Sequence, residues 1–171
     1  MTRFLRRGDS APREVLAELH GAKPLASTET TDGSWLFGTR DALVVVDPVE
    51  TRRIPWEQVE SADWDQDAET LRVVEVAPYG ERRPEHHLGL TDAGLFLALV
   101  RERVTASVVL SRRVPLGRGK GLNVVGRRPP RGTGEITWAY ELDPGVDPKD
   151  PGVRAAAEEA LRVARTDAGL D

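Results

Sequence analysis

The sequence predicts an α+β fold: a mostly antiparallel β-barrel closed by one helix, with three further strands and a terminal helix added after it. Three observations carry that expectation. Residues 35–76 break into short runs rich in Val and Trp, each ended by a turn signal such as Asp47-Pro48 or Asp65-Gln66-Asp67, which is the spacing of antiparallel strands. Residues 135–142 alternate cleanly, Ile136, Trp138, Tyr140 and Leu142 against Glu135, Thr137, Ala139 and Glu141, as a half-buried strand does. Residues 92–107 and 151–168 instead carry apolar side chains at helical spacing.

At the N-terminal side, Asp9-Ser10-Ala11-Pro12 has the form of a helix start: a capping side chain, then a proline whose missing N–H costs little in the first turn. Val15, Leu16 and Leu19 follow at helical spacing and Gly21 ends the segment, so a short amphipathic helix should lie against the sheet. Residues 24–31 read as a Thr-rich strand, turned back by Asp32-Gly33 into 34–39. Residues 42–47 are almost wholly apolar, the mark of a central strand covered on both faces. In 51–55, Pro55 removes a ladder donor, which suits a strand end or an edge. Residues 60–65 and 70–76 pair across an acidic turn, and 85–90 complete the set.

Thr91 or Asp92 then caps a helix to about Ser107. Its apolar residues, among them Leu95, Phe96, Leu97, Leu99 and Val100, span more than one face, so something beyond the sheet should cover the second side. The candidates are the strands expected at 108–116, 122–127 and 135–142. Asp150-Pro151 starts the last helix, whose stripe of Val153, Ala156, Ala157, Ala160, Leu161 and Ala164 can approach a neighbour closely but buries little area; Gly169 stops it. The expected organisation is a single domain over 1–171, with a core over 24–107, a strand extension over 108–142 and a C-terminal helix over 151–168.

The chain has no Cys, which removes disulfides, thiolate zinc sites, iron–sulfur clusters and cysteine nucleophiles together. No apolar run approaches the ~20 residues of a membrane-spanning helix. Arg3, Arg6 and Arg7 surround only Phe4 and Leu5, far short of a signal-peptide core. A cytoplasmic location is therefore the expectation. The net charge of -4 is spread unevenly. Residues 103–134 hold no acid and carry Arg103, Arg112, Arg113, Arg118, Lys120, Arg127, Arg128 and Arg131, while the flanks at 57–69 and after Glu135 are acidic.

The run Gly38-Thr39-Arg40-Asp41-Ala42-Leu43-Val44-Val45-Val46, followed by Arg53-Ile54-Pro55-Trp56-Glu57-Gln58-Val59, resembles the bacterial PH-like, GRAM-type pattern. Seven strands followed by one amphipathic helix is also the order of that barrel, in which the helix plugs one open end of two nearly orthogonal sheets. The chain is similar as well to a family of uncharacterised proteins of about this length from high-GC Gram-positive bacteria, in keeping with cations that are nearly all Arg. The likeness covers about half the chain and implies a binding scaffold, because fold alone does not assign chemistry. PH domains that hold phosphoinositides use a basic loop between their first two strands. Here that loop is Thr30-Thr31-Asp32-Gly33, short and acidic, so no such site is expected there.

Several motifs invite chemistry and fall short of it. Arg7-Gly8-Asp9 is a short triplet of the kind that arises by chance. Asp63-Trp64-Asp65-Gln66-Asp67 opens like a calcium loop, but Ala68 and Val74 occupy the positions where an EF-hand needs Gly and Glu; a solvated turn is the better reading. His86 and His87 are adjacent in a strand and point to opposite faces, so they do not share a metal, and His20 is the only other histidine. Gly117-Arg118-Gly119-Lys120-Gly121 lacks the first Gly and the hydroxyl of a P-loop, and reads better as a hairpin. Trp35, Trp56, Trp64 and Trp138 belong to core and rim, with Trp56 and Trp64 expected to be partly exposed.

The sequence thus points to a non-catalytic binding or scaffold protein, with no catalytic residue, cofactor or metal ligand assigned. The first reading is a protein partner engaged through a rim around Trp56 or through the 108–134 extension. The second is a polyanion, nucleic acid or an anionic membrane surface, held by Arg112, Arg113, Arg118, Lys120, Arg127, Arg128 and Arg131, since the planar fork of arginine suits phosphate. Against the second stands internal compensation, in which these cations pair with the acidic segments at 57–69 and after Glu135.

Overall fold

The computed structural model describes residues 11–170. Arg7-Gly8-Asp9, the capping residues Asp9 and Ser10 and the segment around Arg3 lie outside the described residues. The elements, in order, are α1 (Arg13–Ala17), β1 (Pro24–Glu29), β2 (Trp35–Thr39), β3 (Ala42–Val46), β4 (Thr51–Pro55), a 3-10 turn (Trp56–Gln58), β5 (Val59–Asp65), β6 (Thr70–Glu75), β7 (Glu85–Gly89), α2 (Gly94–Ser107), β8 (Val108–Gly117), β9 (Lys120–Arg127), β10 (Thr137–Leu142) and α3 (Pro151–Asp167).

The strands form three antiparallel sheets: β1-β2-β3-β4, β5-β6-β7 and β10-β9-β8. The first two meet at one corner through an isolated bridge between Thr30 and Leu90, and the chain passes from β4 to β5 through the 3-10 turn. Among the described residues no ladder closes these sheets into a ring; the α+β character and antiparallel pairing stand, as two sheets joined at corners.

Alternation decides which side chains meet between the sheets. Leu36, Leu43 and Ile54 of the first sheet face Val59, Leu71 and Val73 of the second, with Trp56, Leu90, Phe96 and Val100 filling the space between. The opposite face of the first sheet carries Trp35, Phe37, Ala42, Val44 and Val46, and the N-terminal segment covers it with Ala11, Val15, Leu16 and Leu19. β3 is therefore a central strand sandwiched on both faces, as its continuous apolar run requires.

α2 differs from expectation in two ways. Neither Thr91 nor Asp92 caps it: Ala93 is the capping residue, without a side-chain cap bond. The Thr91 hydroxyl reaches the Glu29 carbonyl instead (3.4 Å), and the Asp92 carbonyl accepts from the Thr28 hydroxyl (2.7 Å), which ties the helix start to β1. Nor is its second side closed over, for Leu95 is 86% exposed and the helix packs mainly on β5, β1 and the 3-10 turn. The third sheet has another partner. Leu122 and Val124 of β9 pack on Ala157, Ala160 and Ala164 of α3, whose small side chains allow close approach. Asp150 caps α3 by accepting from the amides of Gly152 and Val153 (2.8 and 3.0 Å), with Pro151 in the first turn.

Candidate functional site

Trp56 is not a rim residue. It is 0% exposed, and its indole N–H donates to the Thr39 carbonyl at 3.0 Å. Pro55 ends β4, and the 3-10 turn that follows sends the next side chain inward. Gly38 makes room at this point: a Cβ there would stand 2.4 Å from Leu99 Cδ2, so α2 rests directly on β2. Trp64 is half-buried against the same core, so neither tryptophan offers a free ring.

The arginine-rich stretch is divided among three environments. Arg127, at the end of β9, is buried at 3% exposure. It donates to the Ser107 hydroxyl (3.1 Å) and the Glu60 carbonyl (2.8 Å) and stands 3.6 Å from Glu141. Burial pushes its guanidinium pKa down, against the opposing pull of Glu141 and Glu60. Arg103 is buried as well. Arg127 is thus an internal staple between the third sheet, α2 and β5, which corrects its assignment to a cationic surface.

Glu60 explains why the staple lies there. The register of β5 on β6 slips between Val59 and Ser61, leaving Glu60 as the bulged residue. A bulge re-aims its side chain and frees its carbonyl from the ladder. Arg127 takes the carbonyl; Arg83 takes the carboxylate at 2.8 Å and donates also to the Tyr140 carbonyl of β10 (3.2 Å). Burial, the largest influence, raises the Glu60 pKa above the ordinary value, with Arg83 opposing.

Arg112 and Arg113 lie at the surface but are neutralised. Arg112 pairs with Asp167 at the end of α3 (3.0 Å). Arg113 grips Asp143 with two bonds, while Asp143 also accepts from the Gly121 amide (2.8 Å). The Arg113 bond, first, and the Gly121 amide hold the Asp143 carboxyl below its usual pKa. Gly121 is needed here, since a Cβ would meet the Arg113 guanidinium at 2.9 Å. The neutralising acids of Arg112 and Arg113 follow Glu135, as internal compensation requires.

Arg118, Arg128 and Arg131 remain exposed, with no ion pair among the described residues; Lys120 is exposed beside Asp143 and contributes to its lowered pKa. They do not form one surface. Arg118 and Gly119, at φ 53° and 73°, are the two-residue turn of the β8–β9 hairpin, so the glycines there serve the turn, not a phosphate. Arg128 and Arg131 follow the other end of β9. Its eight residues put the two groups roughly 25 Å apart at about 3.3 Å per residue.

The Asp63–Glu69 turn is likewise structural: Asp65 accepts from the amides of Asp67 and Ala68 (3.0 and 2.9 Å), and Asp63 faces Arg72.

Two features remain. The first, within the 108–134 extension that the sequence offered to a protein partner, is the free edge of the third sheet. β8 runs for ten residues and pairs on one side only, with β9; Val108, Val109, Ser111 and Arg112 are exposed along it. The second is a concavity of about 650 Å³ where the edge strands β4 and β7 part company, lined by Arg52, Arg82, Arg83, Pro84, Glu85, His86 and His87. His86 spans this mouth. Its Nε2 lies 2.5 Å from Glu75 and its Nδ1 3.1 Å from Arg52, whose other nitrogen donates to Glu50 (2.6 Å). His86 pairs with the fully buried Val73 in register, so it faces the space between the sheets, while His87 lies on the outer face beside Glu85 (2.8 Å). The two histidines do turn opposite ways. A run such as Arg82-Arg83-Pro84-Glu85-His86-His87 carries no spacing signal; only the approach of β4 makes it a site.

No family model, no curated protein and no solved structure matches this chain. Among the described residues no helix is long and apolar enough to cross a membrane.

Proposed function

We propose that the protein is a non-catalytic PH-like binding scaffold that takes an extended, acidic segment of a partner protein onto the free edge of β8. The observation that carries this reading is the unpaired edge of β8, regular over 110–115 between bulges at Val109 and Leu116 and flanked at its two ends by the exposed cations Arg118 and Arg128. Edge strands present a row of backbone donors and acceptors, and adding a strand satisfies them, while flanking charge selects the partner. The PH-like assignment is supported by the order of four strands, three strands and a helix packed where the two sheets part. A polyanion is the weaker reading, because Arg127 is internal, Arg112 and Arg113 are paired, and the remaining cations are split between two ends.

The test is photo-crosslinking from Ser111, alone and combined with either Val109→Glu or Arg118→Glu, exposed positions at which a negative charge repels an acidic segment without touching the core. A partner crosslinked through an acidic extended segment at Ser111, and lost in both variants, is the expected result. A partner retained undiminished in both variants overturns the reading. Salt-steep binding to duplex DNA, RNA or anionic vesicles, with no protein captured, replaces it by the polyanion reading.

A further inference from the structure

We propose that the mouth between β4 and β7 is a binding site for a small phosphate-bearing anion, independent of the β8 edge. Arg52, Arg82, Arg83, His86 and His87 line this concavity with a single acid, Glu85; Glu60 and Glu81 line the adjoining concavity that shares Arg82 and Arg83. Glu85 is already committed, held by two bonds from the Arg72 guanidinium (2.6 and 3.0 Å) and approached by His87.

The other carboxylates stand behind the wall rather than in it. Glu50 holds Arg52, Glu60 holds Arg83 and Glu75 holds His86, and none of these three acids lines the concavity. Such back-bonding fixes the side chains at the cost of only some of their donors. A guanidinium carries five N–H groups. Arg52 commits its two terminal nitrogens to Glu50 and His86, and Arg83 commits Nε and one terminal nitrogen to Glu60 and Tyr140. Arg82 has no ionic partner among the described residues and is exposed at the lip.

The shape of the donor set selects the ligand. A planar carboxylate is satisfied by one fork from one arginine. Here three guanidinium groups line one mouth from two separate segments, Arg52 from β4 and Arg82-Arg83 from the loop before β7, with the His87 imidazole beside them. Both ring nitrogens of His86 are already held by Glu75 and Arg52. A tetrahedral group with oxygens in several directions uses that arrangement fully. A concavity of about 650 Å³ also exceeds what a bare ion needs and suits a phosphate ester, since small-molecule sites run to several hundred Å³.

The experiment follows the backbone amides of residues 52 and 82–87, and the arginine Nε–H signals, by NMR of the full chain titrated with inorganic pyrophosphate at low ionic strength. A second arm uses phosphatidylcholine vesicles with and without phosphatidic acid. Saturable shifts confined to this mouth, weakened about tenfold in Arg82→Ala, are the expected result, the factor being that of one charge-assisted hydrogen bond. Arg118→Ala, at the far hairpin, leaves them unchanged. Saturation in the pyrophosphate arm alone assigns a soluble phosphate ester; additional, phosphatidic-acid-dependent vesicle binding lost in Arg82→Ala assigns a headgroup. Absence of saturable shifts in both arms, equal shifts with chloride, or an unchanged affinity in Arg82→Ala overturns the proposal. Arg82 is exposed and makes no ion pair among the described residues, so its variant separates lost binding from lost folding.

Discussion

The body formed by β1–β7 with α2 and the unit formed by β8–β10 with α3 hold together by different means. The first buries Trp56, Phe37, Phe96 and a set of Leu and Val side chains on both faces of a four-stranded sheet. The second buries Ala157, Ala160 and Ala164 against Leu122 and Val124, a thin contact that leaves most of β8 exposed. Large side chains stabilise in proportion to the area they remove from water, so the two units differ in their margin. The smaller unit offsets its thin core with charge: Arg113 on Asp143, Arg112 on Asp167 and, above all, Arg127 on the bulge at Glu60. The contrast teaches that one basic stretch of sequence can serve as mortar. Arg127 attaches the second unit to the first, Arg112 and Arg113 tie that unit's own strands to its helix and loop, and Arg118, Arg128 and Arg131 stand in solvent.

Removing the largest buried ring is the strongest way to test the contrast. Trp56→Ala should cost about 3–5 kcal/mol, as such core truncations do, and unfold both units together in urea. A loss below about 1 kcal/mol would return Trp56 to the surface role that its position beside a turn first implied. Arg127→Met should cost less, about 2 kcal/mol, because it leaves the Glu60 carbonyl without its donor. Its signature is selective: amide exchange should accelerate in β8–β10 and α3 well before β1–β7. Uniform acceleration would mean that the two units are not separately held.

The smallest effect concerns the joint itself and depends on pH. Burial raises the folded-state pKa of Glu60 above its unfolded value, so the protonated form is favoured by folding. That contribution is fully present below the unfolded pKa and is lost as pH rises through the raised folded value. Glu60→Gln should therefore be slightly more stable than the parent at neutral pH, by about 0.5 kcal/mol for a part-exposed carboxylate. The two should converge as pH falls below the ordinary carboxylate range. Urea midpoints from pH 3 to 7 read this directly, and a variant less stable at neutral pH would show that the Arg83 pair outweighs the burial cost.

Much of the fold was legible in the residues. The alternation of β10, the wholly apolar β3, the Asp32-Gly33 turn and the alanine stripe of α3 each announced a geometry that local rules dictate. The covering of α2 was misjudged because a broad apolar stripe records what could be buried, not what arrives to bury it; Leu95 stays in solvent while α3 takes the third sheet. The cation-lined mouth was invisible for a related reason. Arg52 and His86 lie 34 positions apart and belong to different sheets, and no periodicity links them.

By itself, then, the amino-acid sequence determined where strands and helices form, which of their faces are apolar, and that 103–134 carries only positive charge. These follow from backbone sterics and side-chain spacing, which act over a few residues. Tertiary structure alone decided what each of those charges does. Whether an arginine meets water or a carboxylate depends on strands brought together from distant parts of the chain. Arg127 and Arg118, nine positions apart in one hairpin, show it: the first is enclosed by α2, β5 and β10, and the second stands in a turn whose geometry faces only solvent.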